Sequence, residues 1–405
     1  MYEEKRMRLG LIVAVLVSAG TMTTGAEPVR RLNVSKRPQA RSAKYREKLE
    51  QAHRRGHAAA LKMVASVGES SAGQKTRRQD RSISRILFGS CVRQDRPMPI
   101  FKKIVNQRPE LFVFLGDNIY ADTTDMDVMQ AKYAKLKSDP GFGKLMKSCP
   151  ILATWDDHDY GANDAGADYA QRIQSQRIFV DFWGDAANSP RRKRPGVYDA
   201  RMFGPQGKRL QVILLDTRYF RGPLRKGPRR MGGPYIPSDD KTITMLGEAQ
   251  WNWLERRLRE PADMRIIASS IQCVAESAGQ ETWSNLPHER QRLFDLIAKT
   301  HACGVLIISG DRHWAELSVE DASAPYPIYE LTSSSLNQIH PRGTPTENRY
   351  RAEPLTYHRE NFGAVTIDWE RDDPLLALQV LDIDGRPRIE RELRLSELRP
   401  ARKKE

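Results

Sequence analysis

Five short apolar runs in this chain are each followed at once by residues able to bind a metal or move a proton. Ile86–Phe88 leads into Gly-Ser-Cys91, and Leu111–Leu115 into Gly-Asp117-Asn-Ile-Tyr120. Ile151–Thr154 leads into Trp-Asp156-Asp157-His158-Asp159-Tyr160, Val212–Leu215 into Asp216-Thr-Arg218, and Val305–Ile308 into Ser-Gly-Asp311-Arg-His313. Carboxylates crowded on one rim repel one another, and bound cations relieve that repulsion. The chemistry this pattern points to is a metal cluster. Aspartate oxygens suit hard cations such as calcium, magnesium or manganese. Cys91 and Tyr120 ask for something else. A phenol with a pKa near ~10 ionises at neutral pH most readily on a strongly Lewis-acidic ion, and a ferric ion also holds a thiolate. The expectation is one iron with a second, harder cation beside it. Bridging by Asp117 would set them ~3.5–4 Å apart, as in two-metal phosphatases.

Taken singly, each of these residues has a duller use. A strand-end aspartate often caps a helix or turn. His158 and His313 fit satisfied structural histidines, Cys91 a small buried hydrophobe, and Tyr120 a core aromatic. Repetition of the pattern after successive runs is what argues against coincidence.

The apolar runs have the length of buried strands. Further runs of that length are Ile266–Ala268, Ile328–Thr332, Phe362–Ile367 and Leu375–Ile383. Stretches of helical character separate most of the earlier ones: Asp168–Trp183, Gly247–Glu260 and Pro287–Thr300. Mixed β/α units followed by a meander of strands predict an α/β sandwich, in which ligands gather at the carboxyl ends of the strands. The chain has 405 residues, 39% of them hydrophobic, enough for a sizeable core. Its formal charge of +15 is uneven, since residues 27–81 alone hold 15 Lys/Arg against 5 Asp/Glu. That concentration argues against reading the high pI as specific nucleic-acid binding by the body of the protein.

Residues 1–26 read as a signal peptide. Lys5, Arg6 and Arg8 precede an apolar run from Leu9 to Ala19, and Thr24 and Ala26 suit cleavage after Ala26. The run is short for a membrane span, so the mature chain is expected to have none, with an uncleaved anchor as the alternative. The protein is then exported, to the periplasm or beyond. Residues 27–81 form a basic, partly helical arm and linker, suited to anionic envelope polymer or lipid. Residues 82–390 form the catalytic domain, and 391–405 a charged tail. Cys149, Cys273 and Cys303 are buried thiols or include one disulfide; four cysteines are few for a disulfide scaffold.

The blocks Phe88-Gly-Ser-Cys91, Gly116-Asp-Asn-Ile-Tyr120, Trp155-Asp-Asp-His-Asp-Tyr160 with Gly161-Ala-Asn163-Asp, Leu215-Asp-Thr-Arg218 and Ser309-Gly-Asp-Arg-His313 resemble those of the alkaline phosphatase D (PhoD-like) family. Trp283-Ser-Asn-Leu-Pro-His-Glu-Arg290 and Leu331-Thr-Ser-Ser-Ser335 resemble further blocks, and the match runs in order over roughly residues 83–370. The family belongs to the calcineurin-like metallophosphoesterases. The resemblance implies a four-layer sandwich of two mixed β-sheets flanked by helices. It implies that Cys91, Asp117, Tyr120 and His313 hold Fe(3+), with Asp117 shared. It also implies that Asp156, Asp157 and Asp311 serve the other cations, Ca(2+) in the best-known members, with another divalent ion as the alternative. His158 matches the histidine that aids the leaving group or binds phosphate. Asn163 and Arg218 are candidates for phosphate contact, Arg218 through its planar donor fork; a structural salt bridge is the other reading of Arg218. The chain departs from long family members in lacking room for an N-terminal β-sandwich. The expected activity is hydrolysis of phosphate esters by a metal-activated water or hydroxide. The rival readings are a phosphodiesterase or phospholipase on the same site, and a non-catalytic envelope-binding protein with a vestigial site.

Overall fold

The computed structural model describes residues 81–400 except 231, 277–278 and 341–346. The expected signal peptide, the arm up to residue 80 and the last five residues lie outside the described residues.

Two six-stranded mixed sheets make the frame. The first has the order β14-β13-β12-β1-β2-β3. Its parallel half is β1 (Arg85–Gly89), β2 (Leu111–Leu115) and β3 (Ile151–Thr154), and its antiparallel half is β12 (Asn361–Asp368), β13 (Leu375–Asp382) and β14 (Pro387–Arg394). The second has the order β10-β11-β9-β8-β5-β4. There β5 (Leu210–Leu214), β8 (Met264–Ser269), β9 (Val305–Ser309) and β11 (Ile328–Ser333) run parallel, with β4 (Asp199–Phe203) and β10 (Ala315–Glu320) antiparallel at the edges. A small hairpin, β6 (Lys226–Arg230) with β7 (Gly233–Tyr235), stands apart.

Alternation along the strands sorts side chains to two faces. Ile86, Phe88, Leu111, Val113 and Leu115 join a cluster that contains Val212, Leu214, Ile266 and Ile308 of the second sheet. Leu87, Phe112 and Phe114 point the other way, into a cluster with residues of α1 (Ile100–Asn106), α2 (Met126–Lys137), α3 (Pro140–Ser148) and α5 (Arg172–Phe182). Between α3 and α5 lies the single turn α4 (Asp157–Tyr160). On the second sheet, α6 (Gly247–Leu258) and α7 (Pro287–Lys299) supply Trp251, Leu254, Leu293, Phe294 and Ile297 to the first cluster. Two sheets face to face with helices outside give the expected four layers.

One boundary is corrected. Residues 391–398, expected as the start of a charged tail, are folded: β14 runs to Arg394 and a 3-10 turn follows over Leu395–Leu398. Leu393, Leu395 and Leu398 are buried, so the segment alternates charged and apolar residues because it is an edge strand with one face on the core. All four cysteines are free thiols, which removes the disulfide alternative. Among the described residues no helix is long and apolar enough to cross a membrane.

Candidate metal centre

The chain turns sharply straight after each donor-bearing strand. Of the eight non-glycine residues described with positive φ, six surround one rim: Cys91 (63°), Asp117 (49°), Asp122 (47°), Asp164 (55°), Asp311 (71°) and His313 (60°). Such conformations cost about 1–3 kcal/mol each and persist only where the surroundings over-determine them. Asp159 does much of that here. Its carboxylate accepts from Asp117 N at 3.1 Å, Asp156 N at 2.7 Å and Asn118 Nδ2 at 2.5 Å, lashing the β2 turn to the β3 turn. Gly116 (φ 99°) allows the close approach, since a Cβ there would meet the Asp156 backbone nitrogen at 2.5 Å.

Cys91, Asp117, Tyr120 and His313 converge. Cys91 Sγ lies 3.4 Å from Asp117 Oδ2, and the Tyr120 hydroxyl lies 3.3 Å from the same oxygen and 2.9 Å from His313 Nε2. Ligand atoms of Cys91, Asp117 and His313 all fall within 4.8 Å of one another. So do those of Asp117, Asp156, Asp157 and Asp311. Asp117 is common to both groups, as a bridging ligand must be. Ser334 stands behind the first group, its Oγ 3.3 Å from Cys91 Sγ and accepting from His313 N at 2.9 Å.

Electrostatics make the donor set fit a cation. Burial pushes the Cys91 thiol, the Asp117 carboxyl and the Tyr120 phenol well up, and Asp117 adds to the effect on Cys91. Burial and the Arg312 charge push His313 down to about 3, leaving a neutral imidazole with a lone pair to give. Burial raises Asp156 to about 6 despite the opposing pull of Arg218. Its Oδ2 is buried without a hydrogen-bond partner among the described residues. A buried carboxylate oxygen left bare is costly, and a cation is the partner that serves it.

His158 stands at the lip, its Nδ1 2.6 Å from Asp122 Oδ1 and its ring 4.2 Å from that of Tyr120. Burial disfavours its charge, but Asp117, Asp157 and Asp122 outweigh that and raise it to about 10. Asn163 is exposed and lines a cavity of about 240 Å³ together with Asp157, His158, Asp311 and His313.

Arg218 is elsewhere. It is fully buried, donating from Nε to Asp156 Oδ1 at 2.6 Å and from Nη1 to Glu281 Oε2 at 2.7 Å. Its donor fork is spent on carboxylates, as the salt-bridge reading had it, and it does not line the cavity. Arg312, which the motif reading passed over, does. Its guanidinium is paired with Asp311 and donates to Gln280 Oε1 at 2.6 Å. Glu281 was also missed; it holds Arg218 and, at 2.9 Å, Arg221 Nε. Asp216 is no ligand either: it accepts from Val197 N, Arg218 N and Tyr219 N at 2.8–2.9 Å and braces its own turn.

A two-sheet sandwich with acidic, imidazole, thiol and phenol donors meeting at its strand tips defines the metallophosphoesterase type of fold. The family model of the PhoD-like phosphatases matches residues 86–373, and the chain belongs to that family. Alkaline phosphatase D of Bacillus subtilis (strain 168) is 23% identical over 296 residues, covering 62% of this chain and 48% of that protein. The chain thus spans about half the length of the curated relative it matches. A solved structure of PhoD superposes with a TM-score of 0.60 at 16% identity, covering 78% of this chain and 69% of that one. A dimetal phosphatase from Danio rerio superposes more loosely, with a TM-score of 0.44 at 13% identity over 78% of this chain and 99% of its own.

Proposed function

We propose that the chain is an exported, metal-dependent phosphoesterase acting on small phosphate esters. Cys91, Asp117, Tyr120 and His313 would hold iron, and Asp117, Asp156, Asp157 and Asp311 would hold calcium or another divalent ion. The observation that carries this reading is the convergence of seven donors from separate strand tips around the shared Asp117. Export rests on the basic residues and apolar run of residues 5–19. Bound cations would supply the positive charge that makes a water nucleophilic near neutral pH and offsets charge on the phosphate oxygens.

The remaining work falls to this chain's own side chains. Arg312 and Asn163 face the cavity and bind phosphate oxygens, a guanidinium being suited to them. His158, with Nδ1 engaged by Asp122, lines the cavity and gives a proton to the leaving oxygen. Arg218 acts at one remove: together with Glu281 it fixes Asp156 and, through its charge, keeps Asp157 ionised against the cost of burial.

The test is hydrolysis of p-nitrophenyl phosphate and its bis-ester by protein loaded with iron and calcium, before and after chelation. Hydrolysis abolished by chelation is expected, and the ratio of the two rates reports monoester against diester preference. Metal-loaded protein inert towards both esters would overturn the reading in favour of a non-catalytic envelope protein.

A further inference from the structure

Next to the metal cavity lies a larger one, of about 510 Å³, within the range of small-molecule sites. Tyr235 and Gly279 line both cavities. The wall between them is therefore thin, and it is a built feature. Tyr235 N donates to Gly279 O at 3.0 Å, and a Cβ on Gly279 (φ 79°) would meet Gly233 O at 2.4 Å, so the hairpin backbone lies directly against that of Gly279. The wall is also wired to the acidic cluster. The Tyr235 hydroxyl donates to Asp164 Oδ2 at 2.8 Å, and Asp164 N donates to Asp157 Oδ2 at 2.7 Å.

The geometry points to this second cavity as the subsite for the leaving-group part of the substrate, and its lining selects a neutral, hydroxyl-rich alcohol of sugar type. The inference rests on the phosphoesterase reading and deepens it. Eight of the ten described lining residues carry polar side chains, among them Glu276, Glu347, Arg349, Arg351 and Ser284. Carboxylates accept from hydroxyl donors, and guanidinium groups donate to hydroxyl oxygens. An acyl or aryl leaving group would strip water from these groups and return no hydrogen bonds. A second phosphate is disfavoured too, because both guanidiniums are already matched. Arg349 Nε lies 2.7 Å from Glu276 Oε2, and Arg351 Nε 2.9 Å from Glu316 Oε2. The Glu347 carboxylate further repels an extra anion. A sugar can enter such a balanced ion-pair lining by exchanging hydrogen bonds without leaving a charge bare.

The experiment uses metal-loaded full-length protein and the variants Arg349→Ala, at an exposed position, and Glu276→Gln, at a partly buried one, both outside the metal centre. With a hexose phosphate as substrate, kcat/KM is expected to fall roughly tenfold or more, and with p-nitrophenyl phosphate to change by less than about twofold. Equal losses on both substrates, or no loss on either, would overturn the subsite. Calorimetry decides it independently of turnover. The wild type should bind the hexose phosphate more tightly than inorganic phosphate, and the variants should lose that difference. Equal affinity for the two ligands in the wild type contradicts the proposal. Absence of hydrolysis with the binding difference intact sinks the phosphoesterase reading and leaves the subsite standing.

Discussion

In the proposed reading His158 and Arg312 divide the work at the reacting phosphate, and their variants should fail differently. His158→Ala is expected to keep its metals and lose roughly 10²–10⁴-fold in rate, the usual range for acid–base catalysis. The loss should shrink for esters of acidic alcohols such as p-nitrophenol, whose leaving groups need little protonation. A flat dependence on leaving-group pKa, with metals retained, would leave His158 only the orientation of phosphate. Arg312→Ala should raise KM for every ester, whatever the leaving group, and weaken inhibition by inorganic phosphate. Unchanged phosphate inhibition would remove it from the site. Tyr120→Phe should abolish the visible tyrosinate-to-iron absorption and most of the activity. Much of this was readable in sequence, because each donor directly follows an apolar run and so had to emerge at a strand tip. What could not be read was partnership across the fold. Asp122 reaches His158 from 36 residues away and Glu281 reaches Arg218 from 63. Each pair comes from the loops after two neighbouring parallel strands, β2 and β3 for the first and β5 and β8 for the second, so strand pairing within a sheet brings them together. Arg312 had a signal, its position between Asp311 and His313, and was passed over because the aspartate and histidine accounted for the motif.

The elements show why a hydrophobic pattern finds some strands and misses others. Strands β2 and β3 fall where the apolar runs put them, Leu111–Leu115 and Ile151–Thr154. Strand β10 was overlooked because Ala315–Glu320 carries two glutamates. Both are buried, Glu316 against Arg351 and Glu320 against Arg290, so ion pairs hide carboxylates where the pattern demanded apolar residues. A similar buried pair guards the edge strand β3, which leads into Asp156 and Asp157. Asp185 receives Arg191 Nε at 2.8 Å, and Arg191 Nη1 donates to Ala153 O on β3 at 3.0 Å. The two side chains are 6% and 7% exposed, so removing one strands the other. Asp185→Ala is expected to cost about 3–5 kcal/mol of stability in denaturant unfolding. Burial opposes ionisation of Asp185, but Arg191 outweighs it and holds the carboxyl below the usual range. The pair's contribution is therefore present above about pH 4 and lost as pH falls through the depressed value. The stability gap between wild type and Asp185→Ala should narrow in acid; a gap constant down to acid unfolding would contradict this.

Over the whole molecule, every proposed ligand lies between Cys91 and His313, within the described body. Deleting residues 27–80 should therefore leave kcat on a small soluble ester largely intact. Binding to anionic surfaces should weaken, most at low salt, since that stretch holds much of the net positive charge. A folded deletion protein without activity would make the segment part of the site. The body itself is built so that two sheets present their carboxyl ends together, and strained turns are accepted where they aim donors. That expense is physically sensible only if something binds there. The metal content of the natively purified protein, measured per chain by inductively coupled plasma mass spectrometry, tests this most directly. The account predicts iron in about equal proportion to protein, accompanied by calcium or another divalent ion, in keeping with a two-metal site. Protein that is fully active while carrying only zinc or magnesium, with no iron, would contradict it.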